Sequence, residues 1–105
     1  GDDYVDIVGF DNYGDYDNKG ATGVNNAAMR LKIVSDYAKT HKKVAALTET
    51  GLRVLQGETL SPGNFFTDVL LESLIKEDLE LAFMMFWGNK FPQQHLRRNL
   101  QKLWF

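Results

Sequence analysis

The chain contains no cysteine. Disulfides and thiolate metal sites are therefore excluded, and the compartment is left open. No apolar run approaches the ~18 residues of a membrane span. No sign of charge dominates: 12 Lys and Arg stand against 14 Asp and Glu, a formal net charge of −2. That balance gives no reason to expect nucleic acid as a partner. Histidine is scarce, with only His41 and His95. His41 stands among Lys39, Lys42 and Lys43 and reads as a solvated helix exit, and His95 belongs to a basic tail. Neither is assigned a metal or catalytic role, and no cofactor is expected. The first residue is Gly1, not Met, and no signal-peptide pattern occurs within these residues. The chain reads as a piece of a longer protein.

What is present fits one small globular domain. The 105 residues are 44% hydrophobic and 25% charged, an ordinary balance. They are too few for a complete α/β barrel of ~250 residues. Charge is uneven along the chain. Residues 1–90 balance at −5, and residues 91–105, with Arg97, Arg98 and Lys102 and no acid, at +3.

Tyr4 to Phe10 is rich in β-branched and aromatic residues and reads as a strand. Asp11 to Gly20 reads as a polar loop. Ala28, Leu31, Ile33, Val34, Tyr37 and Ala38 recur at helical spacing, which predicts a helix over about 25–40 with Asn25 as N-cap. Lys42 to Thr48 reads as a second strand. A long loop follows over 50–64, and loops of that length in compact domains are often functional. Phe65 to about Lys76 reads as a helix with Phe66, Val69, Leu70, Ser73 and Leu74 inward. Leu79 to Trp87 reads as a third strand, apolar throughout from Leu81, a pattern that suits strands covered on both faces. Leu96, Leu100, Leu103 and Trp104 suggest a final helix. Alternating strands and helices imply a parallel sheet with right-handed crossovers.

In such a sheet the strand ends share one edge. The first strand is followed by Asp11 and Tyr13, the second ends at Glu49, and the third ends at Trp87. Aromatic faces stack on the C–H faces of sugars, and carboxylates accept hydrogen bonds from their hydroxyls. A carboxylate at the reacting carbon acts as nucleophile or as acid/base. Each residue also has a plainer reading: Glu49 as a cap of the next loop, Asp11 as a turn residue, Tyr13 as a loop anchor, Trp87 as core. Arg53 could pair with Glu49 or simply lie on the surface. The residues alone leave three functions open: an enzyme, a glycan-binding segment without turnover, and a structural module.

Gly1 to Tyr13, Val44 to Gly51, Phe66 to Leu71 and Phe83 to Asn89 together resemble the C-terminal part of the glycoside hydrolase family 26 β-mannanases. The resemblance covers residues 1–92 and leaves 93–105 as a divergent basic tail. It implies a partial (β/α)8 barrel containing only its last three βα units, six to eight. It further implies a retaining endo-β-1,4-mannanase that acts on mannan, glucomannan or galactomannan, or on another β-glycan. Glu49 is then the nucleophile, Tyr13 positions it, and Asp11 and Trp87 bind substrate. The family's acid/base Glu lies on an earlier strand and has no counterpart in these residues. Glu58, a loop residue, does not replace it. The resemblance also implies a polysaccharide partner, a preceding part of the same barrel, and secretion or placement at the cell envelope.

Overall fold

The computed structural model describes residues 1–17, 19–52 and 65–86. Three strands lie side by side in chain order, all parallel: β1 (Ile7–Asn12), β2 (Val44–Thr50) and β3 (Phe83–Phe86). Parallel neighbours need a long crossover, and helices supply it. Helix α1 (Gly20–Thr40) joins β1 to β2, and a π-wound segment (Phe65–Leu71) running into α2 (Glu72–Ile75) precedes β3. The fold is α/β with a parallel sheet, as the alternation predicts.

One face of the sheet carries the helices. Leu47 is wholly buried there, opposite Phe10 on β1 and Met84 on β3. Tyr16, Ala27, Leu31, Phe65, Phe66 and Leu70 complete this core. Phe86 packs on Phe66 with ring centroids 5.5 Å apart. The other face is bare at Ile7, Val44, Phe83 and Met85, all exposed. The third strand is therefore not covered on both sides. Its burial alternates, with Met84 and Phe86 turned to the helices and Phe83 and Met85 away.

Several boundaries differ from the sequence expectation. Tyr4 lies outside β1, in a 3-10 turn (Asp2–Tyr4), and is 91% exposed. At its other end β1 runs on through Asp11 and Asn12, which pair with Glu49 and Thr50. Asp and Asn are poor strand formers, but here β2 and the following turn satisfy their side chains. Helix α1 begins at Gly20, five residues before Asn25, and Asn25 is an exposed residue within it. The reason is a close approach. A Cβ on Gly23 would fall on the Asp15 carbonyl oxygen, so the glycine lets the first helical turn lie against the loop after β1. Ala28, Leu31 and Ala38 are buried as expected, whereas Ile33 and Tyr37 are exposed and Ser35 is buried instead. The Ser35 hydroxyl accepts the Glu80 N–H at 2.9 Å and ties α1 to the approach to β3. That approach, Leu79 to Ala82, precedes the strand rather than belonging to it. Arg53, Glu58, Trp87, His95 and the 93–105 tail lie outside the described residues.

Candidate active site

The C-terminal end of β2 contains one extra residue relative to both neighbours. On the β1 side, Phe10 pairs with Leu47 and Asp11 with Glu49. On the β3 side, Leu47 pairs with Met84 and Thr50 with Phe86. Three steps on β2 thus match two on β3. A β-bulge at Thr48–Glu49 accounts for both shifts, and bulges re-aim side chains. Strict alternation would send Glu49 to the same face as Leu47, into the helices. The bulge instead sets Glu49 level with Asp11 and returns Thr50 to the buried face, where it is 0% exposed. An apolar strand interior thereby ends in a half-buried carboxylate without placing it in the core.

Crosswise hydrogen bonds join the two strand ends. Tyr13, just past β1, donates its hydroxyl to Glu49 Oε2 at 3.2 Å. Thr48 donates its hydroxyl to Asp11 Oδ1 at 2.8 Å. Thr50 donates its hydroxyl to the Asn12 carbonyl at 2.9 Å. Asp11 is exposed, and Tyr13 is half-buried. The structure thus brings together Asp11, Tyr13 and Glu49 of the residues singled out in the sequence. The fourth, Trp87, lies outside the described residues, one position beyond the end of β3.

The turn that presents Tyr13 is built from residues that sequence reasoning passed over as loop. The Tyr16 N–H donates to the Tyr13 carbonyl at 3.0 Å, closing a turn. Asn12 Nδ2 donates to Asp15 Oδ2 at 2.9 Å, and the Asp15 N–H reaches back to Asn12 Oδ1 at 3.3 Å. Such local bonds are why Asn and Asp favour turns. Arg30 of α1 pairs with Asp15 Oδ2 at 3.1 Å. Tyr16 is 1% exposed, edge-on to Phe65 with centroids 6.0 Å apart. Burial pushes its phenol pKa above the ordinary value, and the neighbouring Asp15 charge adds to the rise. An aromatic residue flanked by two Asp residues, a few positions after Asn12, is the one signal in the sequence that could have found this anchor.

Chemically, the edge offers a carboxylate held through one oxygen by a phenol, beside a second carboxylate held through one oxygen by a threonine. Among the described residues, each carboxylate is hydrogen-bonded through that one oxygen. Among the described residues no His, Cys, Asp or Glu cluster of metal-binding size occurs, and no helix is long and apolar enough to cross a membrane.

The chain is similar to known proteins. No protein-family model matches the chain. A mannan endo-1,4-beta-mannosidase of Bifidobacterium adolescentis is 32% identical over 95 residues, which is 85% of this chain and 10% of that protein. The solved structure of GH26C from a Muricauda species superimposes with a TM-score of 0.82 at 41% identity, covering 96% of this chain and 30% of that one. The catalytic domain of a Bacillus GH26 endo-beta-1,4-mannanase gives a TM-score of 0.71 at 36% identity, covering 88% and 25%. The chain thus spans 10% of the length of the curated relative and 25–30% of the solved chains.

The three-stranded parallel sheet, matched in this way, is a segment of an α/β barrel like those of these glycoside hydrolases. Both solved relatives carry the name GH26, glycoside hydrolase family 26, and the chain is similar to a fragment of that barrel.

Proposed function

We propose that the chain is strand units six to eight of a retaining endo-β-1,4-mannanase, with Glu49 as its nucleophile. The observation that carries this reading is the 3.2 Å hydrogen bond from Tyr13 to Glu49 Oε2, formed at the mouth of parallel strands, where barrels of this type place catalytic groups. The bond fixes one carboxylate oxygen and leaves Oε1 to attack the anomeric carbon. The leaving oxygen takes a proton from an acid/base carboxyl ~5–5.5 Å away. That group comes from an earlier strand unit, outside residues 1–105, so these residues alone give no turnover. Water, activated by the same group, then hydrolyses the glycosyl ester and regenerates Glu49 with net retention.

Asp11 binds hydroxyls of the sugar at the cleavage point, and Trp87 supplies the aromatic floor beneath it. The substrate class follows from the relatives, whose names specify mannan and β-1,4 cleavage. A polymer of this kind does not cross membranes, so the complete enzyme is secreted or held at the cell envelope.

The test is Glu49→Ala in the complete enzyme, assayed for endo-cleavage of β-mannan. Turnover should fall to background, because a nucleophile has no substitute. Turnover within tenfold of wild type would remove Glu49 from the reaction.

A further inference from the structure

We infer that Thr48 is a positioning residue for substrate recognition: its hydroxyl aims Asp11, and the bare backbone of Gly9 gives it the room to do so. The inference rests on the mannanase reading and goes beyond it in adding a group that acts through Asp11.

The bulge makes Thr48 the residue of β2 that has no partner on β1, since Phe10 pairs with Leu47 and Asp11 with Glu49. An unpaired bulge residue is free to turn its side chain along the sheet surface. Thr48 uses that freedom in one direction. Its Oγ1 lies 2.8 Å from Asp11 Oδ1. Its methyl lies over Gly9, where a Cβ on the glycine would sit 2.7 Å from Thr48 Cγ2 and 2.7 Å from the Ala46 carbonyl oxygen. A β-branched side chain is stiff about χ1, so fixing the methyl over Gly9 also fixes the hydroxyl on Asp11. Asp11 is exposed and sits on a strand end. Without the threonine hydroxyl its carboxylate would be free to sample its rotamers in water. With it, Oδ1 is committed and Oδ2 is presented as an oriented acceptor. An acceptor of fixed direction suits a hydroxyl of a pyranose ring held by the rest of the site.

The experiment uses the complete enzyme with a soluble manno-oligosaccharide. Thr48→Val keeps the shape and removes the hydroxyl. Its KM should rise about fivefold to tenfold, the loss of roughly one hydrogen bond, while kcat stays within about twofold. Thr48→Ser should recover most of the lost affinity. In an Asp11→Ala background, Thr48→Val should add nothing, because the group it positions is gone. A merely structural role would lower the melting temperature and reduce activity equally in both backgrounds, and that result overturns the inference. Wild-type turnover with an unmoved KM in Thr48→Val overturns it alone. Wild-type enzyme that leaves mannan uncut overturns the mannanase reading and the inference together.

Discussion

The Tyr16 hydroxyl lies 3.0 Å from Ser73 Oγ, across 57 residues of sequence. Ser73 donates its own proton to the Leu70 carbonyl at 2.7 Å, so Tyr16 is the donor of the pair. The turn after β1 is thereby bolted to the helix before β3. Tyr13 sits in that turn, with its hydroxyl on Glu49.

Tyr16→Phe should lower stability by about 1 kcal/mol near neutral pH, since one buried hydrogen bond is lost and Ser73 keeps its bond to Leu70. The size of this effect should depend on pH. Burial raises the Tyr16 phenol above its ordinary value of 10.0. A group whose pKa is raised on folding stabilises fully below its unfolded value, and that contribution is lost as pH climbs toward the folded value. The stability gap between wild type and Tyr16→Phe should therefore be constant below about pH 9 and shrink above about pH 10. Urea unfolding at both pH values reads it directly. A gap that widens in alkali would contradict the buried, protonated phenol.

Gly23→Ala should destabilise, although the same change at an ordinary helix position stabilises by up to about 1 kcal/mol. The added carbon meets the Asp15 backbone carbonyl, with the Lys19 Cβ at 2.7 Å on another side. A backbone atom in a closed turn does not move cheaply, and overpacking of this kind costs about 1–3 kcal/mol. A melting temperature equal to or above wild type would rule out the close approach of α1 to the turn.

Tyr13→Phe should reduce kcat/KM about tenfold to a hundredfold and leave the fold intact. A hydrogen bond to a charged group is worth about 1.5–3 kcal/mol, and each ~1.4 kcal/mol is tenfold in rate. The reduction should be much smaller than in Glu49→Ala, because the Glu49 carboxylate is still present. Steady-state kinetics beside a circular dichroism spectrum separates loss of positioning from loss of fold. Unchanged kcat/KM would show that the phenol does not position the carboxylate.

The sheet itself is legible in the sequence. Val44 to Leu47 and Leu81 to Phe86 are apolar runs that stand out from their surroundings, and the helical spacing around Leu31 between two strands requires a crossover. Asp11, Tyr13 and Glu49 are legible as neighbours on one sheet edge, because polar groups directly after apolar runs fall at strand ends. Less visible are the features that depend on contacts distant in sequence. The bulge at Thr48–Glu49 has no local signature, since it exists only against Asp11 on one side and Phe86 on the other. Without it, strict alternation turns Glu49 toward the helices. Gly20 reads as the end of a polar loop, yet α1 starts there, and Gly23 permits the approach that starts it early. Tyr16 reads as part of a polar loop because Asp15 and Asp17 flank it. All three are buried, and the partners of Tyr16, Phe65 and Ser73, are supplied by a helical segment some fifty residues on.

The proposed covalent bond from Glu49 to the sugar can be trapped. The complete enzyme is incubated with an activated 2-fluoro-mannoside, which slows hydrolysis of the intermediate, and the labelled peptide is mapped by mass spectrometry. The adduct should lie on Glu49, within the peptide containing Thr48 and Thr50, and the first-formed product of normal turnover should keep the β configuration. An adduct on any other residue, or a product of inverted configuration, would contradict Glu49 as the nucleophile of a retaining enzyme.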